Sequence, residues 1–451
     1  MLKLRNEQIT LWDTLLPEPI RALPDELAKV DALLDDERFM QPFRNKHASH
    51  RGRPTLPIET YLRLMFLKHR YQLGYESLIL EVGDSIAWRR FCRISIDEKM
   101  PDPTTLLKAS KRYGDEIVKQ VNELLIQKLD DEKVLKRRKL RVDTTVVESD
   151  IQHPTDATLL QDGVRVITRI VQKIRKVASH ATQGFQDRTG EVKERILSIA
   201  KLLRRRTAQS WEDLNAITQE VTSVTEAVCA QATQVIEKVK DKSTPAVQRM
   251  KTKLEQAVTV TRTLIAQAKQ VVSGNRAIPN RVVSFFDPEA RPIKKGKLSK
   301  KVEFGYKLRI DETENGFVTG YELYKDTPPD SELLLPAVEQ HKERFKEVPH
   351  AVATDRGFYK KTNETALTEA GVRYVCTPHC GKKSKKRTEH ESQLWFKNLQ
   401  RYRAAGEARI SLLKRKYGLN RSRYRGFVGS KTWVGFGIWA HNLRRAAQMA
   451  K

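Results

Sequence analysis

The most regular alternation in the chain lies where Leu140, Val142, Thr144 and Val146 interleave with Arg141, Asp143, Thr145 and Val147. Period two combined with β-branching predicts a strand. Upstream, TLPIETYLRLMFLKHRYQLGYESLILEVGDSIAWRRFCRI carries Leu62, Met65, Phe66 and Leu73 at helical spacing, and Gly74 and Gly83 cut it into short helices. Basic residues lie between them, which suits a DNA-binding helical module or a small supporting bundle. PDPTTL opens a further helix, with Asp102 as its cap and Pro103 in its first position. Residues 159–272 read almost wholly as helix, with starts marked by Thr244-Pro245 and by Ser210 with Asp213.

From about residue 282 the strand pattern returns. VEFGYKLRID and GFVTGYELYK form a predicted hairpin turning at residues 312–315. A helix over 330–345 follows Pro328-Pro329, then a short strand in HAVATD, a helix at 363–370 and a strand in VRYVCTP. A long helix at 389–417 and an apolar one at 433–447 close the pattern. Without the helical stretch, the order is strand, strand, strand, helix, strand, helix, strand, helix. That is the chain order of an α/β ribonuclease H-like core, here with an all-α N-terminal region and a long helical insertion after the first strand. The expected division is a helical DNA-binding region at 1–130, the first part of the core at 131–158, the insertion at 159–280, and the remainder of the core with C-terminal helices at 281–451.

Charge narrows the partner. The 451 residues include 84 basic and 56 acidic side chains, a formal net charge of +28. Such a surplus favours a polyanion through phosphate contacts and counterion release. The first 40 residues are locally acidic, and a basic hinge, RNKHASHRGRP, follows them. With 39% hydrophobic residues the chain has the material for cores and is not a disordered tail. No run of about 18 apolar residues predicts a membrane span, and the N-terminal stretch lacks a signal peptide's apolar run. Four scattered cysteines fit a reducing compartment, so a cytoplasmic, nucleoid-associated protein is expected.

Candidate chemistry comes from three carboxylates placed in order along this topology. Asp143 lies within the first strand, where a carboxylate among Val142, Thr144 and Val146 is costly unless used or paired. Asp355 ends the strand in VATDRGF, and Glu407 sits on the late helix in RAAGEARISLLKRKYG. Singly, each has an ordinary reading as a surface, capping or ion-paired group. Together, carboxylates at strand ends beside a helix-borne glutamate can hold two Mg²⁺ ions, or Mn²⁺, for an in-line displacement at phosphorus. Arg403 and Lys414 lie four before and seven after Glu407, on nearly one helical face, and can grip phosphates. Arg421, Arg423 and Arg425 extend the basic surface.

At these residues the sequence resembles the DDE transposases of bacterial insertion sequences, in the broad group related to insertion sequences four and five. The resemblance rests on RGRPTLPIETYLRLMFLK, PDPTTL, VDTTVVESDIQHPTDATLLQDG, VEFGYK, VATDRGFY and the Arg403–Glu407–Lys414 helix. It implies a Mg²⁺-dependent cut-and-paste reaction, with Asp143 and Asp355 as the metal-binding aspartates and Glu407 as the glutamate. The related signature has a tyrosine three residues before the arginine; here that position is Gln400, and Tyr402 adjoins Arg403. The expected partner is double-stranded DNA, as terminal inverted repeats and as target, and handling two ends calls for a homodimer. The alternatives are a non-catalytic DNA-binding relic, which has no reason to keep three carboxylates, and a hydrolytic nuclease on the same fold.

Two further features read more plainly. Cys376, His379, Cys380 and His390 lack the paired spacing of a zinc finger and suit a loop near DNA. Asp156 reads as the cap of the helix opening the insertion.

Overall fold

A computed structural model describes residues 15–46, 55–202, 208–239, 244–275, 277–294 and 302–450. Most of the basic hinge (47–54) and Arg204, Arg205 and Arg206 lie outside the described residues. The described residues form two compact units, one running to Asp150 and resuming at Gly305, the other spanning Ile151–Phe304.

The first unit begins with helices α1 (Asp25–Leu34), α2 (Ile58–Arg70), α3 (Tyr75–Asp84), α4 (Ile86–Phe91) and α5 (Pro103–Asp131). Strand β1 (Lys139–Glu148) follows. The second unit holds α6 (Asp156–Arg175), α7 (Thr189–Leu202), α8 (Ala208–Lys238) and α9 (Pro245–Val272). Back in the first unit come β2 (Val302–Thr313, its first residues belonging to the second unit), β3 (Val318–Tyr324), α10 (Asp330–Phe345), β4 (Ala351–Ala353), α11 (Lys361–Glu369) and β5 (Tyr374–Cys376). Helices α12 (Lys385–Ser392), α13 (Leu394–Lys416) and α14 (Gly426–Met449) end the chain.

Helix α2 is buried at nearly every position from Ile58 to His69, so it is a central helix and not one with a single apolar face. Its fully buried Arg63 pairs with Asp31 at 2.6 Å and Asp35 at 3.1 Å, while Arg70 and Arg444 share Glu26 at 2.8 and 2.9 Å. The acidic N-terminal stretch thus supplies counter-charges to the buried Arg63, which a helix core demands, and to the half-buried Arg70 and Arg444. Helix α14 packs on α1, α2 and α5, with His69 against Trp433 at 4.6 Å between ring centroids. Asp102 caps α5 by accepting from Thr104 N–H at 2.8 Å, and the helix breaks at Gly114, where φ is 66°.

The sheet of this unit has the order β3-β2-β1-β4-β5. β2 runs antiparallel to β1 and β3, whereas β4 is parallel to β1 and β5 to β4. On one face Leu140 and Val142 pack with Leu333, Leu334 and Val338 of α10. On the other, Ala351, Ala353 and Cys376 pack with Phe396 and Leu399 of α13. Helices therefore cover both faces, as the short, wholly apolar β4 requires.

Several expectations shift. The hairpin turns at 314–316, closed by Gly316 N–H to Thr313 O at 3.0 Å, so Glu312 is a buried strand residue and not part of the turn. The helix expected over 389–417 breaks at Gln393 into α12 and α13. Ser210 lies inside α8, which has already begun at Ala208. The cap of α6 is Thr155, in a reciprocal capping box with Thr158, and Asp156 instead grips Arg281 at 2.7 and 2.8 Å.

The second unit is a helical bundle with its own core. Leu160, Val164, Ile167 and Val171 of α6 meet Val221, Val228, Leu254, Val258 and Ile265 of α8 and α9. Gly163 is required there: a Cβ would stand 2.7 Å from Thr261 Oγ1.

Candidate active site

Strands β1 and β4 lie side by side and parallel, with Asp143 on β1 and Asp355 just past the end of β4. Asp143 is on β1 opposite Ile310 of β2, and its Oδ1 accepts Thr144 N–H at 2.7 Å. Asp355 lies two residues past β4, where it caps the single turn Arg356–Phe358 by accepting Gly357 N–H at 2.8 Å. Burial is the main force raising the Asp143 carboxyl from its usual range to about 6; the Asp355 and Asp330 charges add to it, and Thr144 N–H and Arg403 oppose it. A half-buried carboxylate whose neighbours are carboxylates is suited to a cation.

Glu407 stands apart from this pair. On α13 its side chain is 69% exposed, and Oε1 accepts from Arg403 Nη2 at 3.2 Å. Among the described residues no three His, Cys, Asp or Glu side chains converge closely enough to hold one metal ion. The structure therefore brings Asp143 and Asp355 within electrostatic reach of each other, and sets Glu407 beside Arg403, whose charge also acts on Asp143.

The position of α13 is set by a buried ionic cluster that the sequence pattern did not reveal. Arg141 is two residues before Asp143, hence on the same face of β1. Directly across the register stands Glu312, ion-paired with Arg141 and accepting from Arg409 Nε at 3.0 Å. Arg141 and Glu312 side chains are only 5% and 4% exposed. Arg141 Nη1 also donates to Tyr402 O at 2.5 Å, and its guanidinium lies 4.9 Å from the Tyr402 ring centroid. Gly406 lets the helix approach, since a Cβ there would lie 2.6 Å from Arg141 Nε. Tyr402 is thus part of the docking surface of α13, and Gln400, at the signature position, donates to Cys376 Sγ at 3.1 Å.

Asp330 was also missed, because an aspartate after two prolines reads as a helix start. It is the first residue of α10, yet Oδ1 accepts from Thr144 Oγ1 at 2.9 Å and pairs with Lys307 Nζ at 2.6 Å. The available signal was its place just after a sheet strand, at the start of a helix covering β1.

Among the candidate phosphate-binding cations, Arg421 pairs with Glu148 at 3.4 Å and Asp150 at 3.6 Å, and is about half exposed. Arg423 is exposed and donates to Gln72 O at 3.2 Å. Arg425 is exposed at the start of α14, and Lys414 is half-buried in the last turn of α13. Of the cysteine and histidine group, Cys376 is a core strand residue whose Sγ donates to Phe396 O, Cys380 is exposed, and the His379 and His390 rings rest against Tyr359 and Trp395.

Residues 18–112 match the family described as Transposase domain (DUF772), and residues 284–443 match Transposase DDE domain. No solved structure matches the chain significantly. Asp355 and Glu407 fall inside the second match, whereas Asp143 lies outside both, on the far side of the helical insertion. The DDE domain is a metal-dependent DNA-cleaving and strand-transferring enzyme with a ribonuclease H-like fold, with which the mixed sheet here agrees. With the two matches together spanning more than half of its length, this chain belongs to the DDE transposases of insertion sequences.

Proposed function

We propose that Asp143, Asp355 and Glu407 are the metal-binding carboxylates of this DNA transposase. The observation that supports the reading is that Asp143 on β1 and Asp355, two residues past the end of the parallel β4, lie close enough for the Asp355 charge to raise the proton affinity of Asp143. Glu407 would complete the set on leaving Arg403, from a helix held to β1 through Arg141. Two Mg²⁺ ions bound there would activate the attacking oxygen and stabilise the leaving one.

The protein's own groups do the rest. Near neutral pH, Asp143 is mostly ionised and able to hold a cation. Arg403, once released by Glu407, and Lys414 bind backbone phosphates, and Arg421, Arg423 and Arg425 extend that surface. A homodimer on DNA would bring two element ends together, and the group related to insertion sequences four and five remains the best fit to the sequence motifs. Among the described residues no helix is long and apolar enough to cross a membrane.

The test uses a labelled duplex bearing the element's terminal inverted repeat, incubated with Mg²⁺ and the full chain. Wild type should cleave at the element end, and Asp143→Ala, Asp355→Ala and Glu407→Ala should not. Full cleavage by any one variant would remove that residue from the site.

A further inference from the structure

We infer that Asp330 is a positioning residue of the metal site, acting through Thr144 on Asp143, with Lys307 as its fixed counter-charge. This rests on the assignment of Asp143 and Asp355 as metal ligands.

An aspartate in the first turn of a helix ordinarily serves its own helix, through its N–H groups or its dipole. The partners of Asp330 lie elsewhere. Oδ1 accepts from Thr144 Oγ1 on β1 and pairs with Lys307 Nζ on β2, and Lys307 also donates to Pro328 O. The residue before α10 is Pro329, which makes no side-chain cap. Pro328 and Pro329 fix their own φ angles, so the approach to Asp330 is stiff and its carboxylate is delivered in a set direction.

Thr144 is gripped at both ends. Its N–H goes to Asp143 Oδ1 at 2.7 Å and its hydroxyl to Asp330 Oδ1 at 2.9 Å. Fixing the hydroxyl fixes the β1 residue whose amide orients the Asp143 carboxylate. On its other side Asp330 faces the second aspartate. A Cβ on Gly357 would lie 3.1 Å from both Asp330 Oδ2 and Asp355 Oδ1, so the missing side chain leaves the two carboxylates a shared space. Lys307 and Asp330 side chains are 13% and 25% exposed, and their pairing offsets the charge that Asp330 would otherwise add beside Asp143. Groups that orient metal ligands from the outer shell typically change affinity by about 10–100-fold when removed.

The test is Mn²⁺ titration of the full chain without DNA, following free Mn²⁺ by electron paramagnetic resonance. Thr144→Val keeps shape and loses the hydroxyl; Thr144→Ser keeps the hydroxyl. Asp330→Ala and Thr144→Val should bind Mn²⁺ about 10–100-fold more weakly than wild type, with Thr144→Ser close to wild type. Asp143→Asn and Asp355→Asn are titrated alongside. If those two bind as wild type, the metal-site assignment itself fails. If they lose Mn²⁺ while Asp330→Ala and Thr144→Val bind normally, only the positioning role is overturned. Should Asp330→Ala not fold, Thr144→Val against Thr144→Ser decides, and equal binding by those two overturns the relay through the hydroxyl.

Discussion

Replacing Gly406 by alanine separates helix propensity from packing, because the two call for opposite signs. In a helix interior, Gly→Ala ordinarily stabilises by about 1 kcal/mol. Here the new Cβ would lie 2.6 Å from Arg141 Nε, 2.7 Å from its Cδ and 3.0 Å from its Cζ. Arg141 has no room to yield, since Glu312, the Tyr402 carbonyl and the Tyr402 ring hold it in a buried position. Moving α13 outward is an overpacking cost of about 1–3 kcal/mol. Expelling Arg141 from its buried pair costs about 3–5 kcal/mol instead. The cheaper route sets the cost, so after the propensity gain the net expectation is a loss of about 1 kcal/mol. The assay is urea unfolding, with Gly190→Ala as control, because a Cβ at Gly190 meets nothing within 4 Å. Gly406→Ala should lower the unfolding midpoint and Gly190→Ala should leave it unchanged or raise it. A midpoint raised by Gly406→Ala would refute the docking of α13 through Arg141.

Other perturbations follow from the same structure. The folded-state pKa of Asp143, about 6, lies above its unfolded value near 3.8, so ionisation opposes folding. That penalty is absent below about pH 4 and complete above about pH 6; metal-free Asp143→Asn should therefore melt higher than wild type at pH 7.5 but not at pH 3.5, while losing strand transfer. Arg423→Ala or Arg425→Ala should each reduce the slope of log affinity for DNA against log salt by about 0.9 if one phosphate contact is lost. The reduction should be smaller for Arg421→Ala, whose guanidinium already pairs with Glu148 and Asp150. Of the four cysteines only Cys380 is exposed, and burial pushes the Cys229 and Cys376 thiols up to about 11 and 12. A thiol reagent should therefore label one cysteine in the native protein at pH 8 and four in denaturant.

What the sequence made legible was local. Period two marked β1, Pro328-Pro329 marked the start of α10, and the spacing of Arg403 and Glu407 gave the ion pair that the structure shows. The order of the elements brought the strand carrying Asp143 beside the parallel strand that Asp355 follows, two residues past its end. What was hidden depends on partners remote in sequence. Glu312 looked like a turn residue because its polarity is explained only by Arg141 across the sheet and Arg409 on a helix 97 positions away. Asp330 looked like an ordinary helix start because Thr144 lies 186 positions before it. Even the acidic N-terminal stretch, unlike the rest of the chain, makes sense only once Arg63, Arg70 and Arg444 need its carboxylates. Side-chain chemistry of this kind is set by tertiary neighbours, to which local periodicity is blind.

The most direct test of the central claim is strand transfer from a pre-cut element end into a supercoiled plasmid with Mg²⁺. Wild type is expected to join an end carrying a 3′-hydroxyl and to leave a 3′-deoxy end unjoined. Asp143→Asn, Asp355→Asn and Glu407→Gln should bind the same end yet join neither. Joining by any of the three at the wild-type rate would contradict the assignment of that carboxylate, and plasmid nicking without joining by wild type would point to hydrolysis instead of transposition.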